Sequence, residues 1–149
     1  MAPTINQDAW PDSITDPEVR QLLENFYELS NAANSASDID ANEKAFADLF
    51  EPQKGVYQLA SKKAEGRDAI FALRKALFAY IPKREHTAVK LFTYGQDQTQ
   101  IMVLGKVAYS HHAGHDTSGD WAAKVVLTKD GGEAKFLEVN IIVDTAAHV

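Results

Sequence analysis

The chain has 149 residues, 45% of them hydrophobic and 24% charged, a formal net charge of −6 and no cysteine. That length suits one domain with its own core. The missing thiols exclude disulfides, zinc–thiolate sites and cysteine nucleophiles, and the acidic balance disfavours nucleic acid, whose phosphates it repels.

No window approaches the roughly 18 consecutive apolar residues that span a bilayer, so no membrane segment is expected. The first residues lack the basic and apolar regions of a secretory signal, and a cytoplasmic location is the expectation. Residues 1–15 read as a polar arm, with Trp10 placed to pin it onto the domain, 16–149, or onto a partner subunit. Thr15-Asp16-Pro17-Glu18 opens a helix: a cap residue, then proline in the first turn and an acid that complements the helix dipole. Val19, Leu22, Leu23, Phe26, Tyr27 and Ser30 then repeat at three and four, predicting a helix over Pro17–Ala32. A small, polar stretch follows. Asp38 or Asp40 caps a second helix, whose stripe is Ala45, Phe46, Leu49 and Phe50 and which Pro52 stops.

Residues 55–60 and 62–66 read as two short strands. A third helix starts at Gly66-Arg67-Asp68, with the stripe Ile70, Leu73, Leu77, Phe78 and Ile81 and a stop at Pro82. From there the hydrophobic period becomes two. Strands are predicted over 86–94, 99–111, 120–128 and 133–144, the last two joined by the turn Lys129-Asp130-Gly131-Gly132. Short turns between consecutive strands imply antiparallel pairing, and helices segregated from such strands make an α+β fold. Lys62, Lys63, Arg67 and the Lys83–Arg84 pair read as solvated surface charge.

Several local motifs share one order: Phe46-Ala47-Asp48-Leu49-Phe50-Glu51-Pro52 before a Val-Tyr strand, Ala64-Glu65-Gly66-Arg67-Asp68-Ala69-Ile70 entering the third helix, His86 opening the first long strand, and Lys129-Asp130-Gly131-Gly132 before a strand ending in Val143-Asp144. In this order and spacing the chain resembles the nuclear transport factor 2-like superfamily over about 19–144. Its texture is similar to that of small SnoaL-like proteins of fungi. The resemblance implies a cone-shaped, mostly antiparallel curved sheet closed by three helices, an apolar pocket and a homodimer formed by sheet faces. It also implies a cofactor-free enzyme doing proton-transfer chemistry (isomerisation, cyclisation or dehydration) on a small apolar metabolite of the polyketide or terpenoid type. The alternatives are a non-catalytic small-molecule binder and, behind it, a protein-interaction adaptor.

Strand residues alternate faces. Matched to the family, the inward set is Val103, Gly105, Val107, Tyr109 and His111, then Trp121, Ala123 and Val125, then Phe136, Glu138, Asn140 and Ile142. A one-residue slip would reverse a strand's whole set. His86 lies where scytalone dehydratase, which this chain resembles, carries a catalytic histidine, and imidazole titrates near neutrality. Glu138, within the apolar run FLEVNIIV, is a candidate acid or base if buried. Asn140 shares its face and would orient it or donate to a carbonyl. Tyr109 is a phenol suited to a developing enolate, and His111 shares its strand face. Tyr57, Trp121, Val107, Ala123 and Phe136 are expected to shape the pocket. Val107 stands where scytalone dehydratase has its second histidine. Ala123 stands where that enzyme has an asparagine and ketosteroid isomerase an acid. Both departures argue against those two reactions. The run His111-His112-Ala113-Gly114-His115-Asp116 matches no known metal-ligand spacing, and no metal is expected. No phosphate loop, dinucleotide fingerprint or serine-hydrolase elbow is present, so no cofactor is expected.

Overall fold

The computed structural model describes residues 4–32, 38–79, 81, 83–130 and 132–148. The linker expected around 33–37, the stop at Pro82 and Gly131 of the last turn lie outside the described residues. Helix α1 spans Pro17–Ala32. Asp16 Oδ1 accepts the Glu18 backbone N–H at 2.9 Å and so caps the first turn. Val19, Leu22, Leu23, Phe26, Tyr27 and Ser30 are all buried on one stripe.

Helix α2 (Ile39–Ala47) is capped by Asp38, whose carboxylate accepts from the Ala41 N–H. Its buried face is Glu43, Phe46 and Ala47, whereas Ala45 is exposed. Helix α3 (Arg67–Leu77) buries Ile70 and Arg74 most deeply and leaves Leu73, Leu77 and Phe78 half-buried. Polar side chains therefore occupy part of two helix stripes expected to be apolar.

Strands β1 (Val56–Leu59), β2 (Lys62–Glu65), β3 (Lys83–Tyr94), β4 (Asp97–Ser110), β5 (Asp116–Thr128) and β6 (Lys135–Val143) form one curved sheet in the order β2-β1-β6-β5-β4-β3. Neighbours are antiparallel except β1 and β6, which run parallel. With the three helices this is the expected α+β architecture. The inner face of β4 is Ile101, Val103, Gly105, Val107 and Tyr109, and that of β5 is Trp121, Ala123, Val125 and Leu127.

Strand β6 departs from strict alternation. Val126 pairs with Glu138 while Leu127 pairs with Phe136, so Leu137 is an extra residue on β6. Such a bulge shifts the side-chain phase by one. Phe136 faces the core as expected, but beyond the bulge the inward residues are Val139, Ile141 and Val143. Glu138, Asn140 and Ile142, expected inside, face outward, and Ile142 is exposed.

The N-terminal segment packs against the sheet. Ile5 bridges Ala88 beside a second irregularity in β3, and Asn6 N–H donates to the Ala88 carbonyl at 3.1 Å. Ile5, Ala9 and Ile14 are buried, and the Arg20 guanidinium stacks over the Trp10 ring at 4.4 Å. Among the described residues no helix is long and apolar enough to cross a membrane.

Candidate functional site

One cavity lies between α1, α3 and the inner sheet face. Its walls are mostly apolar and aromatic: Phe26, Tyr27, Phe78, Val107, Trp121 and Val143 are among them. Its polar groups come from Ser30, Tyr57, Arg74, His86 and Tyr109. The cavity is small, about 10 Å3, a size that admits one water molecule.

Behind one wall lies a buried ionic cluster. Glu43, Arg74 and Arg84 are only 1%, 1% and 2% exposed. Arg74 Nε donates to Glu43 Oε2 at 2.8 Å, and Arg84 Nη2 donates to Glu43 Oε1 at 2.5 Å. Arg84 Nε also donates to the Ser30 carbonyl at 2.8 Å, which ties β3 to α1. Arg74 Nη1 reaches the Tyr57 hydroxyl at 3.4 Å. Phe46 and Phe78 flank the Arg74 guanidinium at 3.9 and 4.7 Å, and Phe78 also lies over Arg84 at 4.0 Å. Desolvation is the largest influence on both cations, and each is compensated by Glu43. Arg84 is lowered to about 10 by burial and by Arg74, and so stays cationic at neutral pH.

His86 is clamped by Asn31. Asn31 Oδ1 accepts the His86 backbone N–H at 2.7 Å and lies 3.0 Å from Nδ1, while Asn31 Nδ2 donates to the His86 carbonyl at 3.0 Å. An oxygen opposite Nδ1 makes Nδ1 the protonated nitrogen, which leaves the lone pair on Nε2. Burial, then Arg74 and Arg84, press the imidazole from 6.5 down to about 3, so it is neutral across the physiological range. Tyr109 stands 6.0 Å from His86, ring centre to ring centre. Burial first, then Tyr57, raises its phenol to about 12, which keeps it a proton donor. The indole Nε1 of Trp121 is buried and has no hydrogen-bond partner among the described residues.

The cavity thus brings together His86, Tyr109, Tyr57, Trp121 and Val107 from the expected set. Ala123 and Phe136 are buried but belong to the packed core rather than to the cavity wall. The bulge puts Glu138 on the outer face, 2.9 Å from Lys124 Nζ, and turns Asn140 out with it. His111 lies one residue beyond the end of β4. It bonds Thr117 Oγ1 at 3.0 Å, stacks on His115 and does not line the cavity. Among the described residues no group of three ligating side chains is placed to hold a metal ion.

Glu43, Arg74, Arg84 and Asn31 were not legible as site residues. Arg84, read as surface charge, is buried. A signal existed: Arg74 stands four residues after Ile70, and Glu43 three before Phe46, on the same faces.

An NTF2-like protein of unknown function from Exiguobacterium superposes with a TM-score of 0.67 at 15% identity, covering 83% of this chain and 98% of its own. The chain has the nuclear transport factor 2-like fold. A proposed scytalone dehydratase of Novosphingobium aromaticivorans matches at TM-score 0.65 and 15% identity, over 83% of this chain and 80% of its own. A proposed SnoaL-like polyketide cyclase of Jannaschia matches at TM-score 0.64 and 14% identity, over 90% and 92%. No family model matches the sequence, and no curated protein does. At such identities the likeness speaks for the nuclear transport factor 2-like fold, and the site's chemistry has to be argued from its own residues.

Proposed function

We propose that the chain is a cofactor-free enzyme of small-molecule metabolism that moves a proton on an apolar metabolite bearing a carbonyl or hydroxyl. One observation carries this reading. A histidine held in a single tautomer lines the same apolar cavity as a phenol and a buried guanidinium. In this reading His86 Nε2 accepts the substrate proton, and Tyr109 stabilises the negative oxygen that results. The low basicity of His86, set first by burial and then by Arg74 and Arg84, works against such a step, and the attraction between the imidazolium and the oxyanion that form together is what offsets it.

Isomerisation, cyclisation and dehydration all use this proton transfer. A polyketide-type substrate is consistent with the name of one structural neighbour, the proposed SnoaL-like polyketide cyclase, and a terpenoid-type one rests on the sequence resemblance alone. The reading is tested by metabolite comparison. Deleting the gene is expected to accumulate an intermediate that the purified protein converts in extract, with conversion lost in His86→Gln. An unchanged profile and no conversion would reject the enzyme.

A second reading, a binding protein without turnover, is favoured by the size of the cavity, about 10 Å3, because a ligand enters only if a wall side chain moves. It predicts a bound ligand recovered unchanged after long incubation.

We also propose a homodimer through the outer sheet face. Cross-strand rows there place Phe92 beside Met102, and Leu104 beside Ala122, which in turn lies beside Ile142, and four of these five are exposed large hydrophobics.

A further inference from the structure

We infer that the ligand of this cavity is an apolar monocarboxylic acid, bound as the carboxylate against Arg74, Tyr57 and the Trp121 indole N–H. The inference rests on the small-molecule reading above and names its substrate class.

Three observations converge on it. The first is charge. Arg74, 1% exposed, is a buried cation on the cavity wall that shares the carboxylate of Glu43 with Arg84. A buried cation is stable when it is paired, so an acceptor bearing negative charge suits this wall. The second is donor geometry. Arg74 lines the cavity as well as the cluster, and its Nη1 contact to Tyr57 is long at 3.4 Å, so that edge of the guanidinium has capacity for a better acceptor. The third is the indole. Trp121 is 5% exposed, lines the cavity and holds a buried N–H that no described residue satisfies. A buried donor without an acceptor is costly, and an oxygen in the cavity would remove that cost.

The remaining walls suit an apolar body. Phe26, Tyr27, Val107, Ile141 and Val143 offer no charge to a second ionised group. A dianion is disfavoured, since Arg74 is the one charged side chain among the described residues of the wall and His86 is neutral. Phe78, half-buried and lying over both guanidinium groups, is the side chain whose movement would widen the cavity and uncover Arg74.

The test compares two probes of matched shape, benzoate and benzamide. Binding is read by calorimetry and by the indole N–H resonance of Trp121, assigned by its loss in Trp121→Phe. The expected result is that benzoate binds at least about tenfold more tightly than benzamide, as a charge-assisted hydrogen bond predicts, and shifts the Trp121 resonance. In Arg74→Met the preference should fall to near unity. That variant leaves Glu43 paired with Arg84. Should it fail to fold, Tyr57→Phe removes one hydroxyl and is expected to weaken benzoate more than benzamide.

Benzamide binding as tightly as benzoate would overturn the carboxylate inference and leave the small-molecule site standing. A benzoate preference that survives in folded Arg74→Met would overturn it too, by placing the anion elsewhere. Binding of neither probe to the folded protein would overturn this inference, and conversion of a metabolite in extract would then decide the enzyme reading separately.

Discussion

Gly105 stands opposite Trp121 on the neighbouring strand, and its missing side chain is what lets the indole lie flat on the sheet. A Cβ there would fall inside the Trp121 ring and 2.6 Å from the Thr87 carbonyl oxygen. Gly105→Ala is therefore expected to cost about 1–3 kcal/mol through overpacking and to change Trp121 fluorescence. A thermal melt and an emission spectrum check both. His86 has a measurable consequence in pH. Its folded-state pKa is about 3 against 6.5 for the free side chain. Between those values only the unfolded chain holds the proton, so stability contributed by neutral His86 is present above 6.5 and is lost as pH falls toward 3. The slope from this group is at most about 1.4 kcal/mol per pH unit. Denaturation of wild type and His86→Gln across that window should show the variant losing less stability on acidification. Parallel curves would mean that the histidine is not depressed.

At the scale of elements, the ionic cluster fastens α2, α3, β3 and α1 to one another. Glu43 on α2 receives Arg74 from α3 and Arg84 from β3, and Arg84 also holds the last turn of α1 through Ser30. Glu43→Ala leaves two buried guanidinium groups facing each other and is expected to destabilise by about 3–5 kcal/mol, read in chemical denaturation. The bulge at Leu137 makes the opposite prediction for Glu138. Its partner Lys124 is 56% exposed on the outer face, where such pairs contribute less than about 1 kcal/mol. Glu138→Gln should leave stability nearly unchanged, along with binding and any turnover in the cavity. A large loss of activity in that variant would contradict the register of β6.

For the whole molecule, the outer sheet face is the open question. Met102 and Leu104 are 39% and 44% exposed on β4, the strand next to the sheet edge, and Ile142 is 58% exposed two strands away. A patch of this kind on a sheet is what a second copy would cover. Leu104→Glu is expected to convert a dimer to monomers in sedimentation equilibrium while leaving the melting curve of the monomer intact. If the unaltered chain sediments as a monomer, the proposal fails.

The helix starts and the strand count were legible in the sequence, because they rest on local chemistry, whereas α2 and α3 end at Ala47 and Leu77, short of the prolines expected to stop them. Asp16 and Asp38 cap helices wherever they stand before a helical period, and alternation along a strand needs no knowledge of its neighbours. Which phase faces inward came from the resemblance, and Tyr109, Trp121 and Val107 line the cavity in that phase. The register of β6 was different. A bulge is a relation between two strands, and a run such as FLEVNIIV, apolar on both phases, does not announce one. That single extra residue moved Glu138 and Asn140 out of the cavity. The arginine cluster was hidden for a related reason. A charged residue on a helix stripe or at a strand start reads as surface until its partner is known, and Glu43, Arg74 and Arg84 lie on three separate elements. Their burial is favourable only because the fold brings them within hydrogen-bond distance, so tertiary structure alone decided the charge of the cavity wall.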